Sequence, residues 1–198
     1  VVAFVGTDGS GKTTIVRNAT SIFSKQLNVF NTFLGNGSSG CSWYRSIIFF
    51  ILGKKPFLKS HKELRLKNGN KSNVSLLYCI WILICTFDKY SCLKKVLHYK
   101  AKGCLVLVDR WPQLKVVNRL DGPRLLKYNL NGLKKLIQGY ESMYYNFASN
   151  VQPDIVFKLQ ITPDVAVQRK PKEISQEVSR IDIEILNKTR FSKNDFKI

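Results

Sequence analysis

Carboxylates and histidine are scarce in this chain: 198 residues carry 13 Asp and Glu against 32 Lys and Arg, and two histidines. His61 and His98 stand alone, with no neighbouring ligand set, which argues against a histidine metal centre or a histidine base. Five cysteines (Cys41, Cys79, Cys85, Cys92, Cys104) are scattered, without a C-x-x-C pair. That excludes a zinc ribbon and a disulfide scaffold, and the thiols read as buried groups in a reducing cytosol. Long apolar runs are also missing. Val74 to Phe87 falls short of the ~20 residues that span a bilayer and meets Asp88-Lys89, so a buried core helix is expected. The apolar opening, Val1–Val5, has no basic leader and no cleavage site. Together these features predict a cytoplasmic protein without a membrane span.

The net charge of +19 favours polyanionic partners: nucleotides, nucleic acid or an anionic lipid surface. Much of it sits in Lys54-Lys55, Lys94-Lys95, Lys134-Lys135 and the Lys59–Lys71 stretch, where a solvated surface explains it equally well. The length fits one α/β domain. Because the sequence opens at Val1 and stops at Phe196-Lys197-Ile198, where a fifth strand could begin, a trimmed C-terminus is expected.

Val1–Val5 is a continuous β-branched and apolar run that ends in glycine, as in a strand buried on both faces. Apolar residues at Ile15, Ala19, Ile22 and Phe23 give Lys12 to about Leu27 a helical period. Between them lies Gly6-Thr7-Asp8-Gly9-Ser10-Gly11-Lys12-Thr13, followed by Thr14. Strand, glycine loop and helix in that order form an anion cradle: backbone N–H groups turn inward and the helix adds its positive end. Lys12 would neutralise the β- and γ-phosphates of a Mg-nucleotide, and the Thr13 hydroxyl would ligate Mg²⁺.

Val29–Leu34 reads as a second strand. Residues 35–73 lose all period and look like an insertion or mobile loop. Val74–Lys102 predicts a long helix stopped at Gly103, and Leu105–Val108 a third strand ending in Asp109-Arg110. Asn131–Ala148 predicts a helix whose Tyr140, Tyr144, Tyr145 and Phe147 fill a core rather than stack a base. Ile155–Ile161 is a fourth strand, and Thr162-Pro163-Asp164 a helix cap. A last helix is expected near Glu177–Lys188. Alternating elements imply a doubly wound, three-layer parallel sheet with its site at the carboxyl ends of the strands.

In such a sheet Asp109 lies beside the glycine loop, placed to hold Mg²⁺ or its waters. A cation follows it, where ATP-hydrolysing machines often carry a Glu. Arg110 therefore suits transfer between two anionic reactants.

The loop, Val108-Asp109-Arg110-Trp111-Pro112 and Pro153–Leu159 with Pro163–Lys170 resemble, in order, landmark segments of the thymidylate kinase-like P-loop nucleoside monophosphate kinases. The resemblance covers about residues 1–27 and 100–190. It implies ATP and Mg²⁺ as cofactors, a small-molecule acceptor such as a nucleoside monophosphate, Asp8 facing an acceptor hydroxyl, and Arg110 bridging donor and acceptor phosphates. It also implies that Arg169, with Lys170, Lys172 and Arg180, belongs to a lid at about 169–180. A homodimer stays open. The family's acceptor-pocket element after the second strand is replaced by Phe33–Gly40, and its Ser and Gln after Asp-Arg by Pro112-Gln113-Leu114 and the Asp121–Arg124 turn. Gln113, Asp121 and Arg124 thus become candidates for a different acceptor wall. A nucleic-acid-associated ATPase, to which the basic surplus points, and a non-catalytic nucleotide binder are the rival classes.

Overall fold

The computed structural model describes residues 1–36, 74–171 and 175–198. The expectations for the insertion beyond residue 36, the Lys59–Lys71 stretch, Cys41, His61 and Lys172 fall outside the described residues. The elements run β1 Val2–Gly6, α1 Lys12–Phe23, β2 Val29–Phe33, α2 Leu76–Ala101, β3 Leu105–Asp109, α3 Gly132–Asn150, β4 Ile155–Leu159, α4 Pro163–Arg169, α5 Gln176–Lys188 and β5 Asp195–Lys197. The strands form one sheet in the order β2-β3-β1-β4-β5, with every pairing parallel. This is the expected doubly wound α/β architecture. Five strands are present among the described residues, rather than the four that hydrophobic runs show. β5 is only three residues long and has two exposed positions, so it leaves no apolar run; Asp195 fastens it instead, pairing with buried Lys158 at 2.9 Å.

Alternation along β1 sends Ala3 and Val5 to one face and Phe4 to the other. Ala3 and Val5 join Val106, Val108 and Val156 under Cys92, Leu93 and Val96 of α2 and Tyr144, Tyr145 and Ala148 of α3. Phe4 and Leu107 meet Val16 of α1 on the opposite face. Tyr144 and Tyr145 are 1% exposed, as core residues should be. At about 1.5–3 kcal/mol for each large side chain buried, these two layers supply most of the drive to fold.

Side-chain caps fix where the helices begin: Ser75 accepts from the Tyr78 N–H, Thr162 from Val165 and Ser175 from Val178. α2 contains an 18-residue window of mean hydropathy 1.5, long and apolar enough by composition to cross a membrane. Within the protein 61% of that window is buried, which is the behaviour of a core helix. Asp88 and Lys89, which close the apolar run Val74 to Phe87, do not face water. They are 1% and 3% exposed, on the packed side of the helix.

Register sets the site. Phe4 of β1 and Phe33 of β2 both lie opposite Asp109, and β1 runs on to Gly6 before the glycine loop departs. The acidic end of β3 is thereby brought level with the loop's entry.

Candidate functional site

The glycine loop closes through a Ser10 N–H to Thr7 carbonyl bond of 3.3 Å, and α1 begins at Lys12. Gly9 and Gly11 take φ of 87° and 85°, left-handed values that side chains resist, so the sequence must place glycine at both turns of the cradle. Asp8, Gly9, Ser10, Gly11, Lys12, Thr13, Thr14, Arg110, Arg169 and Lys170 line one cleft of about 620 Å³. Gly6, the last residue of β1, leads into the loop. A second cleft of about 530 Å³ shares Thr13 with the first and is walled by Asp109, Arg17, Phe30, Phe33 and Lys95.

Lys12 is 5% exposed, and its ammonium donates to the Gly6 carbonyl at 3.0 Å, the Thr7 carbonyl at 2.6 Å and the Ser10 hydroxyl at 3.2 Å. It therefore sits inside the cradle, held by three oxygens of the loop itself. Burial, reinforced by the nearby Arg110 charge, lowers its pKa to about 8.

The Thr13 hydroxyl donates to Asp109 Oδ2 at 2.5 Å. Asp109 is 3% exposed, and its Oδ1 is buried without a hydrogen-bond partner. An orphaned carboxylate oxygen beside a hydroxyl, at the mouth of an anion cradle, is a hard-oxygen donor set that fits Mg²⁺. No cluster of three or more His, Cys, Asp or Glu exists among the described residues, and a cation shared with phosphates and water needs none.

Arg110 follows with φ of 71°, uncommon for a side-chain-bearing residue, and its N–H donates to the Phe4 carbonyl at 2.9 Å. This twist turns the guanidinium back over the loop. One arm donates to Asp8 Oδ1 at 2.7 Å and the other to Asp121 at 3.2 and 3.4 Å. Burial works against the charge, but Asp121 and Asp8 outweigh it and hold the Arg110 pKa above its ordinary value. Arg169, in the last turn of α4, donates to the Gly9 carbonyl at 2.9 Å. It thus lies across the loop, 160 residues away in sequence.

Of the alternative acceptor-wall residues, Gln113 has a different occupation. Its amide donates to the Val116 and Arg119 carbonyls and accepts from the Val116 N–H, each at 2.7 Å, so it shapes the loop between β3 and α3. Asp121 and Arg124 do border a recess, of about 50 Å³, beside Gly6, Asp8 and Arg110. The sequence reading missed Lys89. Its ammonium donates to the Tyr145 hydroxyl at 2.9 Å, and that hydroxyl donates to the Asp121 carbonyl at 2.9 Å. Its position in a helical row with Cys85, Cys92 and Val96 was the available signal.

No protein-family model matches the chain. An Escherichia coli (strain K12) protein described as "Uncharacterized ATP-binding protein YghS" is 28% identical over 176 residues, spanning 86% of this chain and 73% of that relative. Among solved structures, a deoxyadenosine kinase from M. mycoides with bound dATP aligns with 100% of this chain and 89% of its own at 16% identity and a TM-score of 0.45. A thymidylate kinase from Ehrlichia chaffeensis aligns with 100% and 84% at 17% identity and the same TM-score, 0.45.

Proposed function

We propose that this chain is an ATP-dependent phosphotransferase. It moves the γ-phosphoryl group of MgATP to a nucleoside monophosphate, as a thymidylate kinase-like enzyme does, or to a related small phosphorylated or hydroxylated metabolite. The observation that carries the reading is the meeting of Thr13 and Asp109 at 2.5 Å beside the glycine loop, with one Asp109 oxygen left unpartnered. The E. coli relative named for ATP binding supports a nucleotide in the cleft.

The roles follow from position. Backbone N–H groups between Gly9 and Thr14 bind the β-phosphate, and Lys12 exchanges its three loop oxygens for phosphate oxygens. Thr13 and Asp109 would hold Mg²⁺, which supplies charge neutralisation on the phosphates when bound. Arg110 and Arg169 flank the transferred group and stabilise its developing charge while they exclude water. Positioning and electrostatics are what phosphoryl transfer asks of a protein, and no covalent intermediate is required. A rotary or translocating ATPase would place a water-activating acid after Asp109; here an arginine already bound by two carboxylates stands there.

The test is ADP formation from MgATP across a panel of nucleosides, nucleoside monophosphates, sugars and sugar phosphates. Turnover that depends on one acceptor and collapses in Lys12→Ala is expected; hydrolysis driven by nucleic acid, or turnover untouched by Lys12→Ala, would overturn the assignment.

A further inference from the structure

Among the described residues, the side of the cleft beyond Arg110 lacks the surplus of positive charge that a phosphate-binding wall needs. A phosphomonoester is a dianion near neutral pH, and a site built for it carries a surplus of donors and cations. The recess beside Gly6 instead sets Asp8, Asp121 and Asp182 against Arg110, Arg119 and Arg124. Three carboxylates cancel three guanidiniums. Arg119 is committed to Asp182 at 2.7 Å, and Arg110 is shared by two acids.

Asp121 is not a loose surface acid that an incoming phosphate can brush aside. Its side chain is 12% exposed, and it sits in a segment with three left-handed residues, Asn118 at φ 65°, Leu120 at 45° and Asp121 at 60°. The segment is pinned from several directions. Gln113 holds its near end, and the Asn118 N–H reaches the Pro123 carbonyl at 2.6 Å. Buried Glu141 of α3 accepts the Arg124 and Leu125 N–H groups at 2.8 Å each. The Lys89–Tyr145 pair grips the Asp121 carbonyl itself. At Gly122 an added Cβ would lie 2.1 Å from the Val116 carbonyl oxygen, so the turn has no slack. Withdrawing Asp121 from Arg110 means rebuilding the segment.

Granted the phosphotransferase reading above, we propose that the acceptor is an uncharged compound that presents a hydroxyl group to Asp8, rather than a phosphomonoester, and that Asp121 sets this choice. Asp8 borders both the nucleotide cleft and the recess, so its carboxylate stands where donor and acceptor meet. In the transfer step the acceptor oxygen bonds to the γ-phosphorus as the bond from that phosphorus to the β,γ-bridging oxygen breaks. ADP leaves with the electron pair. The hydroxyl proton passes to the Asp8 carboxylate and from there to solvent. Asp121 keeps Arg110 charge-compensated on the acceptor side, leaving it directed at the transferred group.

The experiment compares matched pairs, each a nucleoside or simple sugar and its monophosphate, with MgATP and the full chain, in wild type and Asp121→Asn. The isosteric amide preserves the contact with Arg110 and removes one charge, and circular dichroism checks the fold. We expect a parent hydroxyl compound to exceed its monophosphate in kcat/KM by about tenfold or more, and Asp121→Asn to narrow that ratio about tenfold, the scale of one like-charge contact. A monophosphate preferred by the wild type, or a ratio unmoved in Asp121→Asn, overturns the proposal. A second measurement needs no turnover: inorganic phosphate is titrated onto protein saturated with Mg·ADP, and Asp121→Asn should bind it about tenfold more tightly. Equal affinity overturns the proposal. Failure of the underlying reading looks different, because then MgATP itself shows no calorimetric binding that depends on Lys12.

Discussion

Thr13 and Asp109 lie 96 residues apart in the chain and share a hydrogen bond of 2.5 Å. The contact joins the first turn of α1 to the last residue of β3, and it exists because β3 inserts between β1 and β2 in the sheet. A hydroxyl donor then satisfies one carboxylate oxygen, and the other is kept dry and unpaired. That orphan costs about 1–3 kcal/mol of desolvation, a cost a bound cation would recover.

Asp109→Asn tests this directly. The amide keeps the size and loses the charge, so the Mg²⁺ concentration for half-maximal ADP formation should rise about tenfold or more while the fold persists. Magnesium titrations of wild type and variant read it out, and an unchanged midpoint would remove Asp109 from the metal site.

Arg169→Ala addresses the cation that crosses the loop. It lies in an exposed contact with the Gly9 carbonyl, so its removal should leave thermal stability within about 0.5 kcal/mol, as expected of a surface substitution. The KM for MgATP should climb and kcat fall, together lowering kcat/KM by about 10²-fold, the scale of a lost preorganised donor. A variant with wild-type kinetics would show that the contact is only structural.

Why the site was legible in part follows from the range over which each feature is specified. The loop Gly6–Thr13 is written in consecutive residues, because the φ values of Gly9 and Gly11 and the reach of Lys12 are local geometry. Topology alone brings Asp109 beside Thr13, since a parallel α/β sheet delivers strand ends to one edge. The sequence shows Asp121 as a turn residue and a candidate for the acceptor wall, but not its clamp on Arg110. Its position depends on Gln113, Tyr145 and Glu141, whose side chains meet it from different elements, and no period in the sequence encodes such a meeting. Lys89 was missed for the related reason that its partner lies on another element; its burial is tolerated because its ammonium donates a hydrogen bond to the Tyr145 hydroxyl. β5 was too short and too exposed to leave an apolar run.

Glu141 holds the loop after Asp121 by accepting two backbone N–H groups while 2% exposed. Burial raises its pKa, and the two N–H bonds act against that rise. Glu141→Ala strips both acceptors and should destabilise the protein by about 2–4 kcal/mol, seen as a lower urea midpoint at constant m-value. Glu141→Gln, which retains one acceptor, should fall between. Equal midpoints for all three proteins would show that water replaces the carboxylate at no cost.

The last prediction concerns pH. Burial lowers the Lys89 pKa to about 8 from an ordinary 10.5, so between those values the unfolded chain binds the proton that the folded chain has released. Stability attributable to this group must therefore rise with pH through that window, by at most ~1.4 kcal/mol per pH unit. Below pH 8 both states are protonated and the full burial penalty applies. Tyrosine and cysteine groups whose pKa values burial raises work in the opposite direction at high pH, so the comparison has to isolate one residue. Subtracting the stability of Lys89→Met from that of the wild type, by urea unfolding at pH 7, 8, 9 and 9.5, does so. The difference should be flat up to about pH 8 and then move in favour of the wild type; a difference that stays level would mean that Lys89 keeps its proton through its bond to Tyr145.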